Sequence, residues 1–169
     1  MAWFKRRDKK LLDSDKKNIP DGLWDKCPSC NEIIYRPELE KKLSVCSHCN
    51  HHFRISPDVY IKLLLDKDSE KRYFDKLYSK DFLKFKAQKA YGNQINLANS
   101  KTGENDAIRT YEGKINNYDI ILSIMNFSYI GGSMGSVVGA TVSRAVVMAG
   151  QKKIPFILIC SSGGARMQE

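Results

Sequence analysis

Over the first hundred residues apolar side chains come singly or in short clusters, such as Leu63–Leu65, among lysines and acids. From about residue 107 onward they gather into runs cut by glycine. AIRTYEG and the following KINNYDIILSIMNF have the β-branched and aromatic content of strands. Asn116 and Asn117, lying between them, can take the positive φ of a tight hairpin turn. GGSMGSVVGATVSRAVVMAG reads as a glycine loop running into an apolar, buried helix. KKIPFILIC reads as a continuous buried strand, and SSGGARMQE as the turn after it, opening toward a helix. Strand, glycine turn, helix, strand, glycine turn is the order of an α/β layer.

Upstream, SPDVYIKLLLD predicts a helix with Ser56 as N-cap, Pro57 at the first helical position and Asp58 in the first turn. Residues 66–91 are rich in lysine, and DFLKFKAQKAYG within them is a short helix or a strap on the larger domain. NLANSKTGEND reads as a polar connector. The chain thus divides into a basic flexible lead-in over 1–22, closed by NIPDG, a cysteine segment over 23–55, a helical or irregular connector over 56–106, and the α/β portion over 107–169.

Charge and composition narrow the classes. With 42% hydrophobic residues the chain can bury a core, which excludes wholesale disorder. Its 28 Lys+Arg against 19 Asp+Glu give a formal charge of +9, which suits an anionic partner: nucleic acid, a phosphorylated cofactor or an acidic protein. The opening MAWFKRRDKK has no signal-like apolar run behind it, and no stretch reaches the roughly 18 apolar residues of a membrane span. A cytoplasmic protein without membrane insertion is expected, and in a reducing compartment paired cysteines are metal ligands more often than disulfides.

Those cysteines form two matched pairs, Cys27/Cys30 and Cys46/Cys49, with NEIIYRPELEKKLSV between them. Each C-x-x-C can turn so that two thiolates aim at one point, and two such turns supply the four sulfurs that tetrahedral zinc requires. The intervening segment is long enough for two short strands and a connection. His48, His51 and His52 lie nearby, but four thiolates complete the coordination shell and leave them facing solvent or behind the ligands. A closed four-sulfur site has no open position for substrate, so one structural Zn²⁺ is expected, folding its module without taking part in chemistry.

The glycine loops are less specific. GGSMGSVVG, from Gly131 to Gly139, has neither the G-x-G-x-x-G order of a dinucleotide site nor the ending of a P-loop. It is either a tight strand-to-helix turn or a place where backbone approaches a ligand. At Gly163, Gly164 and Ala165, N–H groups after a strand end can point at a developing oxyanion; an ordinary glycine turn explains the residues equally well. Arg166 pairs with an acid or a phosphate, a structural salt bridge being the simpler reading. Cys160, with no histidine pattern to activate it, reads as a small core residue.

Taken together, the four-cysteine ribbon, TGENDAI, GGSMGSVVGA and SSGGARMQE resemble, in this order, the carboxyltransferase β subunit of multisubunit acetyl-CoA carboxylase, over roughly residues 23–169. The resemblance implies a crotonase/ClpP-like domain of ββα units, incomplete here because the family's domain continues beyond Glu169, preceded by the zinc ribbon. It implies transfer of a carboxyl group from carboxybiotin to acetyl-CoA, giving malonyl-CoA for fatty-acid synthesis. The biotin is carried on a partner protein. The implied partners are a carboxyltransferase α subunit in an α2β2 assembly, a biotin carboxyl carrier protein and biotin carboxylase. On this pattern the backbone of Gly163, Gly164 and Ala165 stabilises the thioester enolate, and Gly131, Gly132, Ser133, Met134 and Gly135 lie beside the CoA arm. The 169-residue chain alone is expected to be inactive. Two alternatives stand beside it: a zinc-ribbon nucleic-acid-binding protein, suggested by the charge, and a carboxyltransferase for another short acyl-CoA.

Overall fold

Residues 108–125 build the centre of the larger unit, and the computed structural model of the chain, which describes residues 22–169, shows how. The expected lead-in lies, apart from Gly22, outside the described residues. Asn116 and Asn117 take φ of 50° and 69°, the left-handed values that a two-residue hairpin turn needs and that asparagine tolerates. The flanking residues pair antiparallel from Ile108↔Met125 to Ile115↔Tyr118. The described residues fall into two units divided between Arg54 and Ile55.

In the first unit, β1 (Trp24–Lys26) pairs antiparallel with β2 (Ile33–Tyr35), and α1 (Arg36–Lys41) follows at once. The stretch between the cysteine pairs therefore holds one strand and a helix, not two strands. Pro37 explains the switch: it lacks an N–H for a ladder and is suited to a first helical turn.

In the second unit, α2 (Pro57–Leu64) starts at Pro57 as predicted, though the Ser56 side chain makes no cap hydrogen bond. β3 (Lys71–Tyr73), β4 (Ile108–Ile115), β5 (Tyr118–Met125) and β6 (Phe156–Ile159) form one sheet in that order, antiparallel except for the parallel β5–β6 pair. Between β3 and β4 lies α3 (Tyr91–Thr102), where a polar connector had been expected. Tyr91, Ile95 and Ala98 recur at helical spacing on its buried face, and Gly103 ends it at φ 68°. No helix forms in DFLKFKAQKA; that stretch is the irregular strap, joined to itself by a Lys86↔Ala90 bridge.

α4 (Ser136–Lys152) carries the chain from β5 to β6. It is amphipathic, not buried all round: Ala145 and Ala149 pack with Ile121, whereas Val146 and Val147 are exposed. The opposite sheet face, through Ile120, Leu122 and Ile124, packs against Leu65 and the Tyr60–Ile61–Leu64 side of α2. β5 is therefore covered on both faces, which is why its apolar run is unbroken from Ile120 to Ile124 save for Ser123. The Ser123 hydroxyl lies 2.7 Å from that of its cross-strand neighbour Thr110. β6 is half-buried at the sheet edge, and Cys160 after it is exposed. Both differ from the buried strand and core cysteine expected, because among the described residues nothing pairs with the outer side of β6. The chain after β6 forms turns and no helix.

Candidate functional site

The cysteine pairs fold into two equivalent knuckles. Each is followed by an asparagine, Asn31 or Asn50, at φ 62° and 56°. Asn31 N–H donates to Cys27 C=O and Cys27 N–H to Glu32 C=O. Asn50 N–H donates to Cys46 C=O and Cys46 N–H to His51 C=O in the same way. The four Sγ atoms lie within 4.8 Å of one another, with Cys27–Cys49 and Cys30–Cys46 both at 3.7 Å. Sulfurs at the corners of a tetrahedron of Zn–S bonds would stand about 3.8 Å apart, and all five cysteines are unbridged. The donor set fits zinc. Burial raises the Cys27 thiol pKa, but backbone N–H groups at Cys30 and Ser29 outweigh it and bring the thiol down to about 7. At Cys30 the Glu32 backbone N–H lowers the pKa, but burial and the neighbouring sulfurs outweigh it and push the thiol up to about 12, so without a cation the four thiols do not all ionise together. His48 and His52 are exposed and His51 sits edge-on to Phe53 with ring centroids 5.4 Å apart, so the histidines lie outside the cluster.

The glycine stretches that sequence placed far apart come together. Gly163 N–H donates to Gly131 C=O, Met134 N–H to Gly164 C=O and Arg166 N–H to Met134 C=O, all at 2.9 Å; Met134 and Ala165 form a parallel bridge. Gly131 and Gly132 both have φ 65°, and a Cβ at Gly132 would stand 2.1 Å from the Ser161 carbonyl oxygen, so only glycine permits this approach. Within the second turn, Gly164 has φ 125°, its N–H donates to Ser162 Oγ at 3.0 Å, and Ala165 lies exposed. Of the three predicted oxyanion donors, Gly163 thus spends its N–H on joining the turns. Gly164 spends its own on a surface hydroxyl that can rotate away.

Behind the turns lies a buried polar network. Arg166 forks onto Asp106, Nη2 to Oδ1 at 2.8 Å and Nη1 to Oδ2 at 3.0 Å, and its side chain is wholly buried. Burial alone would lower its pKa, but Asp106 more than reverses this and keeps the guanidinium charged. Arg166 also stacks over Tyr129, 5.6 Å from the ring centre. Tyr91 Oη donates to Glu169 Oε1, and Ser136 N–H at the start of α4 donates to Glu169 Oε2. Nearby, buried Glu104 pairs with Arg72 and Arg109. The sequence reading missed Ser79, Tyr91, Glu104, Asp106 and Glu169; the one visible signal was two acids, in GENDA, directly ahead of an apolar strand.

This ββα arrangement defines a class. The fold is that of crotonase-type carboxyltransferases: transcarboxylase 12S, solved with hydrolyzed methylmalonyl-coenzyme A bound, aligns at a TM-score of 0.55 and 21% identity over 79% of this chain and 22% of that one. Residues 24–49 match the acetyl-CoA carboxylase zinc finger domain family. At the level of sequence, the acetyl-coenzyme A carboxylase carboxyl transferase subunit beta of Pedobacter heparinus is 43% identical over 171 residues, and that of Chlorobaculum tepidum 41% over 169; each alignment takes in 100% of this chain and 61% of the relative. The chain is a relative of the acetyl-CoA carboxylase carboxyl transferase β subunits along its whole length, and spans about three fifths of theirs.

Proposed function

We propose that the chain serves as the β-type subunit of a biotin-dependent carboxyltransferase, accepting the carboxyl group of carboxybiotin onto acetyl-CoA to form malonyl-CoA. The observation that supports this reading is the hydrogen-bonded pairing of the two glycine turns, beside which Gly164 is half-buried and Ala165 exposed. The acetyl methyl must lose a proton, which the biotin ureido nitrogen freed of its carboxyl group would take up. The thioester oxygen must gain negative charge until the methylene carbon bonds to the released carboxyl carbon. The Gly163–Ala165 turn would hold that oxyanion through Gly164 and Ala165, with Gly163 locking the turn in place. Gly131, Gly132, Ser133, Met134 and Gly135 would run beside the CoA arm. Such a site works by positioning and electrostatics and needs no nucleophile from the chain. Zinc at Cys27, Cys30, Cys46 and Cys49 would hold the ribbon in shape. The partners on this reading are a carboxyltransferase α subunit, a biotin carboxyl carrier protein and biotin carboxylase, in the cytoplasm. No helix among the described residues is long and apolar enough to cross a membrane.

Calorimetric titration with acetyl-CoA tests the reading. The chain should bind it, and Gly164→Phe, which forces a large side chain onto backbone at φ 125° beside the donors, should weaken binding by about tenfold or more, roughly 1.4 kcal/mol, with zinc content unchanged. Absence of acyl-CoA binding, together with oligonucleotide affinity that falls steeply with salt, would replace this reading with that of a nucleic-acid-binding ribbon protein.

A further inference from the structure

We infer that Arg166 is a positioning residue that sets the separation and angle of the two glycine turns, and through them the aim of the Gly164 and Ala165 N–H groups. Gly164 has no side chain to fix its orientation, so the orientation is decided by what flanks it. On one side Gly163 N–H is tied to Gly131 C=O. On the other stands Arg166, whose main chain and side chain both land on the first turn. Its N–H donates to Met134 C=O, its Nε to Ser133 Oγ at 3.0 Å and its Nη2 to Ser133 C=O at 2.8 Å.

The same guanidinium is referenced to the sheet. Asp106, which takes its fork, also accepts Ala107 N–H at 2.7 Å immediately before β4, and Ser79 Oγ at 2.5 Å. Nη1 further donates to Ser79 Oγ at 3.0 Å and to Tyr91 Oη at 3.1 Å. The path runs from the start of β4 through Asp106 and Arg166 to Ser133, and spans 60 residues of sequence in its first step and 33 in its second. Neutralising Asp106 would require only a positive charge, which lysine supplies. Holding a carboxylate and a carbonyl on another loop in one plane requires the rigid fork of arginine. The number and direction of these contacts are those of a spacer, not of a lone ion pair.

The inference rests on the carboxyltransferase reading for its ligand, so the test separates the two. Arg166→Lys and Arg166→Ala are made in the full chain and followed by amide hydrogen exchange and by titration with acetyl-CoA. In Arg166→Lys, β4 and β5 amides should keep wild-type protection. The amides of Met134 and of position 166 should lose protection by about tenfold or more, and acetyl-CoA affinity should fall by a similar factor, as expected for loss of a charge-assisted hydrogen bond. Wild-type protection at both amides and unchanged affinity in Arg166→Lys would reduce Arg166 to charge balance and overturn the inference. If Arg166→Ala loses the β4–β5 protection and unfolds, the lysine variant decides. If the wild-type chain itself binds no acetyl-CoA, the carboxyltransferase reading fails, and exchange at Met134 and position 166 alone decides the spacer.

Discussion

A methyl group added at Gly132 would overlap the Ser161 carbonyl oxygen, and the residue's φ of 65° is one that side chains rarely adopt. Gly139, within α4, has open space around its missing Cβ. The two should respond oppositely to alanine. Gly132→Ala should destabilise by about 2–4 kcal/mol, combining overpacking with left-handed strain, and should release the Met134 amide to exchange. Gly139→Ala should stabilise by about 0.5–1 kcal/mol through helix propensity. Urea midpoints of the two variants check this, and a Gly132→Ala chain as stable as the wild type would mean that the turns do not touch as described. Glycine letters in a sequence announce a need for space or for positive φ. Which need applies at which position became visible only with Ser161 in view, because the obstructing atom belongs to backbone that any residue would supply.

Elements were legible in proportion to how local their causes are. The β4–β5 hairpin was readable because its turn residues and its apolar runs adjoin; the knuckles were readable from spacing, with a further mark in the asparagine after each pair, CPSCN and CSHCN. Helix α3 was hidden because only Tyr91, Ile95 and Ala98 of its twelve residues are buried, leaving a sequence as polar as a loop. The ribbon has few apolar groups of its own: Ile34, Leu39 and Phe53 pack with its cysteines. Its order should therefore depend on metal, whose binding to such peptides is worth about 10–16 kcal/mol in apparent terms. Chelation, or Cys46→Ser, should collapse the ribbon amide resonances to unfolded positions while those of β4 and β5 stay in place. Ribbon resonances that survive quantitative zinc removal would show that packing, not metal, holds it.

Across the molecule, each glycine stretch stood out in the sequence but their meeting did not, since it depends on a helix and a strand carrying the chain back beside its own earlier turn. Glu169 belongs to that meeting. Burial raises its carboxyl pKa, but hydrogen bonds from Tyr91 and Ser136 outweigh burial and bring it to about 2, from an ordinary 4.5. A pKa depressed on folding adds stability that is complete above the unfolded value and is lost as pH falls toward the folded one. Between about pH 4.5 and 2 the wild-type chain should therefore lose stability more steeply than Glu169→Gln, as measured by urea midpoints against pH; parallel profiles would remove Glu169 from the account. The direct contact between the turns has one more consequence, for anyone reshaping this protein or tracing its descent. A change in either glycine stretch alters the surroundings of the other, so the two short motifs, though separated along the gene, are best varied and inherited as a single cassette.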